Sequence, residues 1–492
     1  MSNLPIHEWT LLEAARNIRE GRISSRELTK AILDRIAALD PKINSCITVL
    51  AESAMAQACA CDEEQAKGAL RGPLHGAPIG LKDNFCVRGA PTTCASRMLA
   101  GFDPPHNATV AEKLLAAGAI IIGKHNMDEF AMGSSTETSC YGPARNPWDL
   151  SRVPGGSSGG TTAAVAASLC LAGLGTDSGG SIRQPASFCG VVGLRPTYGR
   201  VSRHGIVATA SSFDQAGPIT RCAADAAALL GIIAGFDERD PTSANLPAPD
   251  YLLALEKPVK GLRVGLPREY FEAKGLDAGV KAAVEQAIKS LAEQGAIVEE
   301  VSLPHTEYAL AAYQLIAAAE ASANLAKYDG VQYGFRAQGA SGFAEMMAKT
   351  RAEGFGAEAK RRIMIGTFAL SAGRYEVLFG KAQKVRTLVR RDFSEAFQKV
   401  DLLLTPAAPA PAFRFGERND PLMMHLLDVF TSPCSLAGVP GISAPCGFSA
   451  EGLPIGVQLM ADRFREETLF TAAGAIERAI SLPRVAPVSR TE

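Results

Sequence analysis

Residues 152–197 read RVPGGSSGGTTAAVAASLCLAGLGTDSGGSIRQPASFCGVVGLRPT, two glycine-serine clusters separated by an alanine-rich apolar segment. The first cluster is Gly155-Gly156-Ser157-Ser158-Gly159-Gly160 and the second is Ser178-Gly179-Gly180-Ser181. Clustered glycines let backbone N–H groups come close to a ligand, and a serine hydroxyl can act as nucleophile or proton relay. In the second cluster, residues 169–174 read as a buried strand, 175–180 as a tight turn and 181–186 as the first turn of a helix, where Pro185 is tolerated. Ser181 is then expected at a helix N-terminus. The N–H groups of Ser178, Gly179, Gly180 and Ser181 could face one concavity there and hold an oxyanion.

The first cluster satisfies Gly-x-Ser-x-Gly with Ser157 or Ser158 central. A nucleophile elbow of that pattern must follow a buried strand, and here residues 146–154 (NPWDLSRVP) precede it, with two prolines and several polar residues. The elbow reading fails on that ground. None of the seven histidines lies near either cluster in sequence, so a serine nucleophile needs another base. Lys82 is the alternative, because burial disfavours the charged form of lysine and a neutral lysine is a competent base.

Outward from this stretch, the chain alternates helical patterns with short apolar runs. Thr10 with Glu13 and Ser24 with Glu27 have capping-box spacing and open two helices, the second ending at Asp40-Pro41; a third helical stretch covers 51–66. Residues 75–85 read as a strand leading Lys82 into a polar turn, 109–118 as a helix, and 119–123 as a buried strand. Residues 262–266, 277–294 and 296–303 form a βαβ-like unit without a dinucleotide fingerprint. Later come helical stretches over 309–326 and 359–397, strands at 401–406 and 455–460, and a closing helix over 466–480. The expected fold class is α/β, with one domain over residues 1–492 and a helical segment over about the first 70 residues wrapping the core. Gly118 to Lys124 matches the start of a phosphate-binding loop, but its inner residues are strand material and His125 stands where Ser or Thr is required, so no ATP site is expected there.

Composition excludes several classes. Fifty basic against fifty-one acidic residues give a net charge of -1, without the electrostatic footprint of a direct nucleic-acid binder. Eleven cysteines without a Cys-x-x-Cys pair suit buried thiols in a reducing compartment, and no metal site is expected. The N-terminus lacks the pattern of a signal peptide, and the longest apolar run, 163–175, is shorter than the ~20 residues a bilayer needs. A cytoplasmic location is expected.

Lys82, the GGSSGG block and the GTDSGGSIRQPASFCG block resemble the amidase signature family. The resemblance implies a central, mostly mixed sheet covered by helices on both faces, and a triad of Ser181 as nucleophile, Ser157 as the relay serine after a cis peptide bond, and Lys82 as base. The blocks MDEFAMGSSTE (127–137), YGRVSR (198–203), SSFDQAGP (211–218) and KRRIMIGT (360–367) are similar to the glutaminase subunits of tRNA-dependent amidotransferases. That likeness implies glutamine as substrate and Arg361 and Asp428 as binding residues, with Tyr313 in the same pocket. Arg361 would hold the α-carboxylate in a bidentate grip and Asp428 the α-ammonium. It also implies two partners, the B and C subunits, with ATP, Mg²⁺ and the charged tRNA on the first of them and no cofactor in this chain. The end product would be Gln-tRNA(Gln), or Asn-tRNA(Asn). A free-standing hydrolase of another carboxamide is the alternative. Two residues depart from the family pattern, Ser435 where Asn is usual and Thr161 where Ser is usual.

Overall fold

The computed structural model describes residues 5–418 and 420–490. Eleven strands form one mixed sheet: β1 (Cys46–Val49), β2 (Pro78–Lys82), β3 (Ile120–His125), β4 (Ala172–Asp177), β5 (Val192–Arg195), β6 (Gln215–Thr220), β7 (Arg263–Pro267), β8 (Ile297–Val301), β9 (Leu402–Pro406), β10 (Gly441–Phe448) and β11 (Pro454–Ala461). Their spatial order is β1-β3-β2-β4-β6-β5-β10-β11-β9-β7-β8. Two parallel groups, β3-β2-β4 and β9-β7-β8, stand on either side of an antiparallel centre. β2, β3, β4, β6, β9 and β11 are buried at every residue, which requires cover on both faces of the sheet.

The local signals act as read. Thr10 and Ser24 each accept from the backbone of the glutamate three residues on, and each glutamate reaches back, so both capping boxes close. Leu28, Ile32, Ile36 and Leu39, at helical spacing, join the main core, each contributing about 1.5–3 kcal/mol by leaving water. The second helix does not stop at Pro41. It runs Ser25–Ile43, because a proline in the last turn forfeits one hydrogen bond while Asn44, in the left-handed conformation at φ 57°, closes the end with its N–H on the Asp40 carbonyl, 2.7 Å.

Two further boundaries shift. β3 continues through Gly123 and Lys124 to His125, so the residues resembling a phosphate loop spend their N–H groups in the ladder with β1 and β2. β4 starts at Ala172 and runs to Asp177, paired with β6 as far as Asp177 opposite Gln215. The turn is therefore residues 178–182, and the helix Arg183–Cys189 begins two residues after Ser181. Ser181 sits in the turn ahead of that helix rather than in its first turn. β7, the helix Ala278–Glu293 and β8 make the expected parallel unit at the sheet's far edge. No helix among the described residues is long and apolar enough to cross a membrane.

Candidate active site

β2 lies between β3 and β4, all parallel, so Lys82 at its end projects beside the end of β4 and the turn that follows. The lysine has no solvent exposure. Its Nζ donates to Ser157 Oγ at 2.7 Å, Ser158 Oγ at 3.0 Å and the Thr176 carbonyl at 3.3 Å. Burial lowers its pKa to about 7, against the opposing pull of Asp128, Asp177 and Asp214. A lysine of that kind is half neutral near pH 7 and can accept a proton from the hydroxyl it touches.

The first glycine-serine cluster is a fitted turn. The Gly156–Ser157 peptide is cis. Gly156 N–H donates to Gln184 Oε1 at 3.0 Å, and Asp128 N–H donates to the Ser157 carbonyl at 3.3 Å. A Cβ on Gly156 would stand 2.1 Å from Asp128 Oδ2 and 2.7 Å from Ser135 N, so only glycine fits. Asp128 is itself held by Thr136 N–H at 3.0 Å and the Thr138 hydroxyl at 2.9 Å. Ser158 N–H donates to the Ser181 carbonyl at 3.1 Å, which sets the two serine-bearing turns side by side.

Two buried carboxylates shape the second turn. Asp177 accepts from Ile182 N–H at 3.2 Å and from Arg183 Nε and Nη2, both at 3.0 Å. Asp214 accepts from the Ser178 hydroxyl at 2.5 Å and from the N–H groups of Thr209 and Ala210 at 2.8 and 3.0 Å. Among the described residues, no protein acceptor is bonded to the N–H groups of residues 178–181. Buried donors are ordinarily paired, so four free ones in succession beside Ser181 suit a developing negative charge.

The turn is flanked by residues from distant elements. A Cβ on Gly179 would lie 2.4–2.7 Å from the ring and hydroxyl of Tyr313, on the helix Thr306–Asn324. A Cβ on Gly180 would lie 2.1 Å from Thr431 Oγ1 and 3.1 Å from Asp428 Oδ1. Asp428 is buried in the short turn Leu426–Asp428, and its Oδ2 accepts from the Ser134 hydroxyl at 2.8 Å. Burial pushes its pKa up to about 7, against the Ser134 hydrogen bond and the charge of Arg362.

The arginine beside this pair is Arg362 rather than Arg361. Arg362 is buried, and its charge acts on both Tyr313 and Asp428. It gives Nε to Glu358 Oε1 at 2.7 Å and leaves both Nη nitrogens without a protein acceptor among the described residues. Arg361, one position along the helix Ala357–Leu370, is turned to Glu358, with Nε and Nη2 each 2.7 Å from a carboxylate oxygen, and Nη2 also reaches His425 Nε2 at 2.9 Å. Successive helix positions differ by about 100°, so adjacent arginines face different neighbours, and the sequence alone does not choose between them.

Sequence reasoning also passed over Asp128, Asp177, Asp214 and Ser134, which lie in blocks quoted for their likeness without a role for each residue. The two departures have distinct surroundings. Ser435 Oγ accepts from Arg183 Nη2 at 3.0 Å and so belongs to the support of the Ser181 turn. Thr161 is buried with its hydroxyl unpartnered and its methyl over Gly173, where a Cβ would come within 2.4 Å. One group among the described residues, Cys61, Glu64 and His75, has metal-ligand spacing. It is already used: Arg71 N–H donates to His75 Nδ1 at 3.2 Å, His75 Nε2 bonds the Cys61 carbonyl at 2.9 Å, and Glu64 forks on Arg71.

A mixed sheet brings a buried lysine onto a serine, beside a turn of free N–H groups, an arrangement suited to a hydrolase without histidine. The chain belongs to the amidase family, whose model, described as Amidase, matches residues 27–470. Among curated proteins it is similar to the A subunit of the glutamyl-tRNA(Gln) amidotransferase of Geobacter sp. (strain M21), 56% identical over 96% of this chain and 98% of the relative. The corresponding protein of Moorella thermoacetica is also 56% identical, over 98% of this chain and 99% of its own. Among solved structures it is similar to the A subunit of the glutamyl-tRNA(Gln) amidotransferase from Thermotoga maritima, with a TM-score of 0.81, 42% identity and 99% of both chains covered.

Proposed function

We propose that this chain is the glutamine-hydrolysing subunit of a tRNA-dependent amidotransferase. It releases ammonia for the transamidation of Glu-tRNA(Gln), or Asp-tRNA(Asn), in an assembly with B and C subunits. ATP, Mg²⁺ and tRNA belong to the B subunit in this reading, which accords with the balanced charge of this chain. The similarity to the A subunits of such amidotransferases over nearly the whole length supports it. The observation that carries it is Lys82 bonded to Ser157 beside the Ser181 turn, with Asp428 and Arg362 at that turn's edge.

Glutamine enters with its α-ammonium on Asp428 and its α-carboxylate on the free Nη edge of Arg362, while Tyr313 packs the turn beside it. Its side-chain amide carbon then lies against Ser181. Ser181 Oγ attacks that carbon, and its proton passes through the Ser157 hydroxyl to neutral Lys82. The amide oxygen takes up negative charge and is held by the N–H groups of residues 178–181. Lys82 returns the proton through Ser157 to the amide nitrogen, the C–N bond breaks and ammonia leaves. A water, deprotonated by the same pair, cleaves the γ-glutamyl ester to glutamate and restores Ser181.

The test is ammonia release from glutamine by the purified chain, alone and with the B and C subunits plus charged tRNA, with Ser181→Ala as control. Release that requires Ser181 and rises with the partners is expected. Wild-type release from Ser181→Ala, or turnover of a nonpolar amide with none of glutamine, overturns the reading.

A further inference from the structure

Behind Arg362 and Asp428 lies a cluster of three polar side chains that the chemistry leaves unused. Glu358 holds both arginines of the helix Ala357–Leu370, through Oε1 to Arg361 Nη2 and Arg362 Nε and through Oε2 to Arg361 Nε, all at 2.7 Å. Arg361 then crosses to His425 Nε2 at 2.9 Å. His425 is the last residue of the helix Pro421–His425 and passes directly into the turn Leu426–Asp428. The contact therefore joins the element carrying Arg362 to the element carrying Asp428.

Apolar packing seats each element separately, Ala359 and Ile363 in one cluster and Leu427 with Met424 in another, and the polar contact joins the two. The helix Ala357–Leu370 buries only Ala359, Arg362, Gly366 and Ala369, and Met364 and Phe368 are exposed. Leu422 and Met423, just before His425, are exposed as well. A guanidinium is always a donor, so His425 accepts through Nε2 and is neutral, with the proton on Nδ1. Burial and the charges of Arg362 and Arg361 lower its pKa to about 4, in agreement. That Nδ1 is buried without a partner. A phenyl ring in the same space would avoid an unpaired donor, so the Nε2 contact is what histidine supplies.

We propose that Glu358, Arg361 and His425 form a polar brace of positioning residues that fixes Arg362 relative to Asp428 and thereby sets the affinity for an α-amino-acid amide. The proposal rests on the glutaminase reading. Arg361 acts on the substrate through its neighbour, with no contact of its own.

Steady-state glutamine hydrolysis tests it, on the full chain in the assembly that gives wild-type activity, for wild type, Arg361→Met, His425→Phe, their double variant and His425→Gln. Each single variant should raise KM about tenfold and lower kcat less than twofold, the split expected when ground-state binding is lost. The double variant should match Arg361→Met, because the contact with His425 is already lost there. His425→Gln, which keeps an acceptor, should stay within about threefold of wild type. An unchanged KM, equal losses in kcat and KM, additive losses in the double variant, or failure of the single variants to fold overturns the brace. If wild type hydrolyses no glutamine, the glutaminase reading falls and the brace with it; if wild type is active and the singles keep its KM, the brace alone falls.

Discussion

Lys82 Nζ and Ser157 Oγ are 2.7 Å apart, and the lysine is wholly shielded from solvent. A charged lysine there could only donate, whereas the proposed mechanism asks it to accept. Because burial lowers its pKa to about 7, the base is available above that pH and lost below it. kcat for glutamine should therefore fall about tenfold per pH unit below 7 and level off above about pH 8. Lys82→Arg keeps a cation that does not deprotonate, so kcat should drop about 10²–10⁴-fold, and raising the pH should not restore it. A wild-type profile in Lys82→Arg would remove lysine from the mechanism.

Asp428 gives a second pH effect, separable from the first. Burial raises its pKa to about 7, so below that pH it is protonated and cannot pair with the substrate ammonium. KM should rise as pH falls through 7 in wild type, and be raised about 10–100-fold with little pH dependence in Asp428→Asn. The kcat limb set by Lys82 should survive in that variant. The stability effect has a definite sign too. A carboxyl group whose folded pKa lies above its unfolded one contributes stability at low pH that is lost as pH rises through the folded value. Asp428→Asn should thus unfold at higher urea than wild type at pH 8, with the gain fading toward pH 4.

Legibility followed the range of the interactions. The capping boxes at Thr10 and Ser24 are local, so their helices were readable, and the unbroken apolar run of β3 was readable from burial alone. The end of β4 was not, because its last residues are fixed by pairing with β6, some forty residues on by the register of Asp177 with Gln215. The glycine-serine clusters were readable as tight turns, since glycine is needed wherever backbone meets Asp128, Tyr313 or Thr431 at close range. The choice between Arg361 and Arg362 stayed hidden because Glu358 bonds both, and only the packing of the helix decides which one faces Asp428.

The contact of Gly179 with Tyr313 supplies a steric test. A methyl group at Gly179 would fall 2.4 Å from the tyrosine ring, so Gly179→Ala must displace either the ring or the turn. Overpacking of this kind costs about 1–3 kcal/mol, and a displaced row of N–H donors should cost about 10²-fold or more in kcat. Gly179→Ala with Tyr313→Ala should recover part of the kcat lost in Gly179→Ala alone, since the obstructing ring is gone. If the double variant is no faster than Gly179→Ala, the displacement account is wrong.

Asp177 and Arg183 carry the last prediction. Both are fully buried, and Arg183 also donates to the Thr431 carbonyl at 2.9 Å and Gln458 Oε1 at 2.6 Å, tying the Ser181 turn to the segment after Asp428. Burial alone would raise the Asp177 pKa, but Arg183 and Arg195 outweigh it and hold it below the ordinary value. The pair therefore contributes stability above the unfolded pKa of Asp177 that is lost as pH falls through the folded one. Arg183→Met removes that contribution and leaves the buried carboxylate with only the weaker Arg195 contact at 3.7 Å, which should cost about 3–5 kcal/mol. Urea unfolding should show the full deficit at pH 8 and a smaller one near pH 5, where the under-compensated Asp177 takes up a proton more readily. Ser435→Ala, which removes one acceptor of the same guanidinium, should cost only about 1–3 kcal/mol and leave the pH dependence unchanged. A deficit in Arg183→Met that does not shrink on acidification would mean that the charge of Asp177 is not what Arg183 holds in place.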